Sequence, residues 1–376
     1  MPFKNREVPE WFRKAGFGII VNFGLASVPG WAPLWREQEE ESTDKWFHDN
    51  PYAEWYFNSI RIDGSPARER HNSEYGKDFP YDGFIPLFNE SLTKWNPAEW
   101  ALYLRRSNAK YVIVTAKHHD GFCLWNTQVK NPRRKKNHPD CDVVGELAEE
   151  IRSAGMKFGV YYSGGLDATY NDTIIRDIQS FSQAIPATEE YAAAVDAHYR
   201  ELIEKYRPDI LWNDICLPHG VNIASLLEYY YSRVPEGVVN DRFRTIEMKA
   251  GLDEKKAIEL FRGFSMKFRD NLPEPNKKGD FDFLVLERNW YTEEPKNKWE
   301  LVLPLERSHF FNREETEAAA LNYEDVIRIF IEVFSNNGNL LLSIGPDAMG
   351  KFRPHERGIF GAIGDWFELK GTIRLF

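Results

Sequence analysis

The chain has 376 residues, a formal net charge of −10 and 42% hydrophobic residues. A chain of this length and apolar content buries a large core, which excludes a disordered protein. The acidic balance argues against nucleic acid and anionic membrane surfaces as partners. Aromatic residues reach 15%, an excess that either fills a bulky core or offers platforms on which ring-shaped ligands stack.

Short apolar runs alternate with amphipathic stretches along the chain. The runs predicted as strands are 16–24, 109–116, 157–162, 209–213, 237–240 and 339–344, and a further apolar run, FDFLVLE, ends at Glu287. Helices are predicted over 97–107, around Val144 to Ile151, over 188–206, near 223–232, over 323–334 and after Pro354. Buried strands separated by helices are typical of βαβ units and a parallel sheet.

Repeated strand–helix units over this length favour an α/β fold of the (β/α)8 TIM-barrel type, with some irregular helices, over a doubly wound sheet. No GxGxxG or GxxxxGK[ST] pattern opens a helix, so no nucleotide cofactor is expected. The basic run NPRRKKNH at 131–138 is interpreted as the solvated face of a loop, with a rim that recognises a charged or extended ligand as the alternative.

The cysteines and the N-terminal segment bear on the compartment. Cys123, Cys141 and Cys216 are too few, and too irregularly spaced, for a disulfide framework or a zinc ribbon. The N-terminal segment is polar, unlike a signal peptide, and no apolar run approaches the length of a membrane span. These features predict a cytoplasmic protein with no membrane partner.

In a barrel of this type, chemistry gathers where the strands end at their carboxyl side. Polar residues follow the predicted strands in this order: Asn22, His118, His119, Tyr161, Asp214, Arg242 and Glu287. Two of them, Asp214 and Glu287, are carboxylates that follow hydrophobic residues. A carboxylate pair across an aromatic-lined cleft is what glycoside hydrolysis requires. Taken singly, a carboxylate after a strand caps a helix about as often as it catalyses.

Several separated motifs favour the catalytic role of these carboxylates over helix capping. The chain resembles the α-L-fucosidases of glycoside hydrolase family 29 from about Trp11 to about Ile373, through KHHDGFCLW, VGELAEEIRSAGMKFGVYYSGGLD, EKYRPDILWND, VVNDR, a DF…E segment before KWE, and NGNLLLSIGP. The resemblance implies a catalytic (β/α)8 barrel, fucosylated substrates and no metal or other cofactor. The family's C-terminal β-sandwich is expected to be absent, which would leave 1–376 as a single domain.

The resemblance also implies roles for individual residues. Asp214 matches the family's nucleophile, and Glu287 is the best match to its acid/base, with Glu254 and Glu300 as weaker candidates. A retaining pair of this kind is expected to lie about 5–5.5 Å apart. Substrate binding is implied for Asn22, Glu54, Trp55, His118, His119, Tyr161 (or Tyr162), Trp212 and Arg242.

The chain departs from the family's pattern at the end of the first strand. Asn22-Phe23 stands where the family usually has His-Trp, and that histidine normally binds a sugar hydroxyl. Asparagine can donate and accept hydrogen bonds, but it is shorter and has no titratable proton. Weaker fucose binding or a shifted sugar preference is therefore expected, while Phe23 would keep an apolar platform for the sugar.

The leading hypothesis is a retaining exo-α-L-fucosidase, and three alternatives stay open. The first is a related glycosidase acting on another α-L-sugar or on a β-galactoside-like configuration. The second is a carbohydrate-binding protein with a degenerate catalytic site. The third, a metal hydrolase using His118, His119 and Asp120, is disfavoured because adjacent histidines on an extended segment face opposite ways.

One surface feature bears on the oligomeric state. Trp366, Leu369 and Phe376 lie near the C-terminal end of the chain. An apolar patch around these three residues would predict self-association into a homo-oligomer.

Overall fold

The computed structural model describes residues 6–34, 43–245, 280–291 and 293–372. Within these ranges, eight parallel strands form one sheet in the order β5-β4-β3-β2-β1-β8-β7-β6. The strands are β1 Phe17–Val21, β2 Tyr111–Lys117, β3 Lys157–Ser163, β4 Ile210–Asp214, β5 Val238–Val239, β6 Leu284–Glu287, β7 Trp299–Pro304 and β8 Gly338–Ile344. A parallel bridge between Asn240 and Phe283 joins the outer strands, and the sheet curls into the (β/α)8 barrel that the sequence predicted.

Helices surround the sheet. The longer ones are Pro66–Glu74, Phe84–Leu92, Pro97–Arg106, Val143–Ser153, Glu189–Tyr206, Ile223–Arg233, Tyr323–Ser335 and Pro354–Thr372, and the shorter ones are Glu10–Arg13, Thr43–His48, Tyr56–Ser59 and Ile178–Ala184. Side chains of Asn96, Asp142 and Thr188 accept hydrogen bonds from the first turns that follow them, which satisfies otherwise unpaired N–H groups. None of the described helices is long and apolar enough to cross a bilayer.

Two apolar layers hold the barrel together. Inside it, side chains such as Phe12, Ile113 and Trp212 form one buried cluster, and Phe12 packs on Phe283 with ring centroids 4.6 Å apart. A larger cluster fills the space between the strands and the helices. Most of the aromatic excess therefore belongs to the core.

The structure confirms the predicted helix at 97–107 and departs from the sequence predictions elsewhere. Strand β7 was not predicted, and neither were the four described helices between β1 and Pro97, which are Thr43–His48, Tyr56–Ser59, Pro66–Glu74 and Phe84–Leu92. The loop at 131–138 is not simply a solvated face, because Arg134 is buried. Its guanidinium donates to Asp82 Oδ1 over 2.9 Å and to the Asp120 carbonyl over 2.7 Å.

The C-terminal apolar patch is only partly described. Leu369 is 67% exposed, whereas Trp366 packs edge-on against Phe330 and Phe367. Phe376 lies outside the described residues, as does Glu254. Self-association through this surface stays a prediction.

Candidate active site

A pocket of about 540 Å³ lies at the carboxyl ends of the strands, where catalytic residues of (β/α)8 barrels gather. Its lining residues come from the ends of β1 to β4, β6 and β7 and from the segments that follow. They are Ile20, Asn22, Tyr52, Glu54, Trp55, His118, His119, Tyr161, Trp212, Asp214, Glu287, Val302 and His309.

Arg242 joins the two candidate catalytic carboxylates. One terminal nitrogen of its guanidinium contacts Asp214 Oδ1 and the other contacts Glu287 Oε1. The guanidinium carbon lies 4.9 Å from the centroid of the Trp212 ring. Because one planar group reaches both carboxylates, Asp214 and Glu287 face each other across a short gap. Arg242 itself belongs to this ion pair and is not among the lining residues.

Two further donors position the Asp214 carboxylate. The Tyr161 hydroxyl donates to Oδ2 over 2.6 Å, and the Ile215 backbone N–H donates to Oδ1 over 2.8 Å. The Tyr161 ring stacks on Trp212 with centroids 5.4 Å apart and 23° between the planes. The carboxylate is thus fixed at the end of β4 by groups from β3 and β4.

The environment of Glu287 favours its protonated form. Burial raises the pKa of this carboxyl, and the nearby charge of Asp214 raises it further, while Arg242 opposes the shift. An acid that keeps its proton above the usual range of glutamate can protonate a leaving group. The two carboxyls therefore differ in environment, as a general acid and its partner carboxylate must.

His118 and His119 form one wall of the pocket as neutral imidazoles. Burial holds the pKa of His118 well below its usual value and lowers the pKa of His119 to about 3. The His118 ring stacks on Tyr161 at 5.4 Å. His119 Nδ1 donates to the Ser163 hydroxyl over 2.7 Å, because that hydroxyl already donates to the Leu166 carbonyl. His119 Nε2 is therefore an acceptor, 3.8 Å from Asp214 Oδ2.

Glu54 and Trp55 complete this wall. Glu54 accepts weak hydrogen bonds from the backbone N–H groups of His309 and Phe310, and burial raises its pKa to about 7. At neutral pH this carboxyl exists in both protonation states, so it can accept from or donate to a hydroxyl. The Trp55 ring lies 5.2 Å from that of His119.

Glu300 has a different place from Glu287. It is fully buried in the barrel, where the Trp212 indole N–H donates to it over 3.0 Å and the Tyr111 hydroxyl over 2.5 Å. Burial raises its pKa to about 7. Of the two acid/base candidates within the described residues, Glu287 and Glu300, only Glu287 lines the pocket. Glu300 instead accepts from Trp212 in the barrel interior.

The sequence interpretation of Phe23 was wrong, and one polar lining residue was missed. Phe23 packs into the outer core against Phe88 and Trp100, with centroids 5.1 and 5.2 Å apart, and is not among the lining residues. His309 lines the pocket although no apolar run leads directly to it. It follows β7, the strand that the sequence did not reveal.

The described residues hold no group of three or more histidine, cysteine or acidic side chains that could bind a metal. What they bring together at the barrel mouth is a buried acid facing a second carboxylate, with aromatic rings and polar groups around them. This arrangement defines a glycoside hydrolase of the (β/α)8-barrel class.

Comparisons with known proteins identify the family. The family model described as alpha-L-fucosidase matches residues 2–372, so the chain belongs to the α-L-fucosidase family. The Dictyostelium discoideum α-L-fucosidase is 27% identical over 97% of this chain and 71% of its own length. Human tissue α-L-fucosidase is 26% identical over 98% of this chain and 69% of its own length.

Solved structures agree with this assignment. The crystal structure of Thermotoga maritima α-fucosidase is 37% identical, with a TM-score of 0.82 over 98% of this chain and 76% of that chain. A fucose complex of the Thermotoga maritima enzyme gives 0.81 with the same coverage. A Bacteroides thetaiotaomicron α-L-fucosidase, 22% identical with a TM-score of 0.65 over 95% of this chain and 72% of that chain, shares the fold.

Proposed function

We propose that the protein hydrolyses terminal α-L-fucosyl residues of fucosylated glycans with retention of configuration at the anomeric carbon. Asp214 is the nucleophile and Glu287 the general acid/base. The observation that carries this proposal is the contact of one guanidinium, that of Arg242, with both carboxylates at a pocket in a barrel of the α-L-fucosidase family.

The reaction takes two displacements. In the first, an oxygen of Asp214 attacks the anomeric carbon, the bond from that carbon to the leaving oxygen breaks, and Glu287 gives its proton to that oxygen. The product is an ester between the sugar and Asp214. In the second, Glu287 takes a proton from water, the water oxygen attacks the anomeric carbon, and the ester bond breaks to restore the free carboxylate.

Arg242 keeps the charge of the pair balanced throughout. Before the first step, Asp214 carries the negative charge and Glu287 the proton. After it, Asp214 is a neutral ester and Glu287 is ionised. The guanidinium contacts both carboxyls. When the negative charge passes from Asp214 to Glu287, it therefore remains paired with the same cation.

Azide distinguishes the two carboxylates experimentally. With an aryl α-L-fucoside, Asp214→Gly is expected to lose at least about 10³-fold in kcat. Azide should restore turnover by attacking in place of the missing carboxylate, which yields the β-fucosyl azide. Glu287→Ala should also respond to azide, but through the intact ester, which yields the α-fucosyl azide.

The exposed Asp63 and Glu90 provide matched controls. Asp63→Gly and Glu90→Ala should keep wild-type rates and ignore azide. Full activity in Asp214→Gly, or an inverted hydrolysis product from the wild-type enzyme, would contradict the proposal.

A different sugar preference is the second candidate function, because Asn22 lines the pocket in place of the family's histidine. A panel of aryl glycosides that differ from α-L-fucoside at one carbon tests it. A higher kcat/KM for another α-L-sugar than for α-L-fucoside would favour this second candidate.

A further inference from the structure

His309 is joined to Asn22 through one hydroxyl group. Asn22 Nδ2 donates to Ser343 Oγ over 2.8 Å, and the same oxygen lies 2.7 Å from His309 Nδ1. Ser343 belongs to β8 and pairs with Ile20 of β1 and Pro304 of β7. The three side chains therefore connect the carboxyl ends of three neighbouring strands.

The chemistry of the three groups sets the direction of each hydrogen bond. The amide nitrogen of Asn22 can only donate, so Ser343 Oγ accepts from it. The Ser343 hydroxyl has one hydrogen, and His309 Nδ1 is its only acceptor among the described residues. The hydroxyl thus donates to Nδ1, and the ring proton of His309 sits on Nε2.

Two other features keep this imidazole neutral and fixed. Burial and the charge of Arg288 together lower its pKa to about 3. Its backbone N–H donates to Glu54 Oε1, a carboxyl that also accepts from Phe310. Both the ring and the main chain of His309 are therefore held before a ligand enters.

Two polar atoms of this group remain available to a ligand. Within the described residues, His309 Nε2 and Asn22 Oδ1 make no hydrogen bond, although both residues line the pocket with Asp214 and Glu287. Nε2–H is a donor and Oδ1 an acceptor. A sugar hydroxyl between them can use both of its hydrogen-bonding capacities.

We propose that His309 is a sugar-binding and specificity-determining residue, and that Asn22 and Ser343 hold its ring so that Nε2–H donates to one hydroxyl of the bound sugar. The proposal rests on the proposed function, since it places an α-L-fucosyl residue in this pocket. The hydrogen-bond donor that the family's histidine provides at the end of the first strand is thus replaced in this protein by His309, in the segment after β7.

Monodeoxy substrates test the contact. Aryl α-L-fucosides that lack the 2-, 3- or 4-hydroxyl are compared with the parent fucoside in the wild-type enzyme and in His309→Phe. The variant is expected to lose about 10- to 100-fold in kcat/KM on the parent, the usual effect of losing one such hydrogen bond. On one deoxy substrate it should lose no more than about twofold, because the partner hydroxyl is already absent.

Two further variants separate binding from a structural role. His309→Gln keeps an N–H donor at similar reach and should retain most of the activity on the parent. Ser343→Ala removes the group that fixes the ring, so it should raise KM more than it lowers kcat. In the ¹⁵N spectrum of the nine histidines, His309→Gln identifies the signal of His309. That signal should show an Nε2–H ring in the wild type and a mixture of tautomers in Ser343→Ala.

The outcomes are distinct. A loss in His309→Phe that is equal on all four substrates, or no loss on the parent, overturns the proposal, as does an Nδ1–H ring in the wild type. If His309→Phe fails to fold, the parent and the three deoxy substrates are compared in His309→Gln. A kcat/KM of this variant that is the same for all four substrates overturns the proposal. A wild-type enzyme that turns over no aryl α-L-fucoside contradicts the proposed function instead.

Discussion

Arg242 contacts both members of the proposed catalytic pair. Its single positive charge contacts Asp214 and Glu287, so it neutralises the charge of the pair when one of these carboxyls carries a proton. Burial raises the pKa of Glu287, and the charge of Asp214 adds to this shift while Arg242 opposes it, so the proposed mechanism assigns the proton to Glu287. This division of charge is the division of roles that a retaining glycosidase needs.

The pH dependence of the reaction follows from that division. In the wild-type enzyme kcat/KM should fall on the alkaline side, as Glu287 loses its proton, at a pH above the usual range of glutamate. With an aryl fucoside reactive enough for the variant to remain measurable, Glu287→Gln should lose this alkaline limb. Measured pH–rate profiles check the prediction.

Glu300→Gln is the matched control for this measurement. Burial also raises the pKa of Glu300, to about 7, but its carboxyl contacts Trp212 and Tyr111 in the barrel interior. This variant should keep the alkaline limb. A profile that loses the limb in Glu300→Gln and keeps it in Glu287→Gln would reverse the assignment.

Some site residues could be predicted from the sequence alone, and others could not. Asn22, His118 and Asp214 each follow an apolar run, and the carboxyl ends of parallel strands meet at one edge. His309 gives no such signal, because no apolar run leads directly to it and its partner Ser343, on β8, is distant in sequence. Phe23 also follows an apolar run, but successive residues of an extended chain alternate in direction, and this ring turns to the outer core.

At the scale of elements, strand β7 shows why a pattern can fail. The strand Trp299–Pro304 has a glutamate at its second position and a proline at its last position. This pattern is not typical of a buried strand. Glu300 is tolerated inside the barrel because Tyr111 and Trp212 donate to it. Both partners come from strands distant in sequence, so only the folded barrel reveals the compensation.

The basic loop 131–138 leads to a prediction about stability. Arg134 is buried and donates to Asp82 and to the Asp120 carbonyl, so Arg134→Met should lower the free energy of unfolding by about 2–4 kcal/mol. Its neighbour Arg133 pairs with Asp172 at the surface, and Arg133→Met should cost less than about 1 kcal/mol. Urea unfolding of both variants measures the difference, and equal losses would contradict the structural interpretation of this loop.

At the scale of the whole molecule, buried titratable groups push stability in opposite directions. Burial raises the pKa of Glu54 and Glu300 to about 7 and that of Glu356 to about 8. The folded state therefore keeps protons that the unfolded chain releases above about pH 4.5, and stability falls as the pH rises. Burial lowers the pKa of His119 and His198 to about 3. Below about pH 6.5 the unfolded chain binds protons that these buried histidines refuse, and stability falls as the pH falls.

Above about pH 6.5 these histidines no longer contribute, so the three glutamates should make the free energy of unfolding decrease from pH 6.5 to pH 8. Two variants outside the pocket test the opposing trends. Glu356→Gln should flatten the decrease at alkaline pH, and His198→Gln should flatten the loss of stability between pH 6.5 and pH 4.5. The exposed Glu90 gives the control Glu90→Gln, which should follow the wild type at every pH. Urea unfolding at each pH measures these slopes, and a wild-type stability that rises from pH 6.5 to pH 8 would show that the buried glutamates are already ionised in the folded protein.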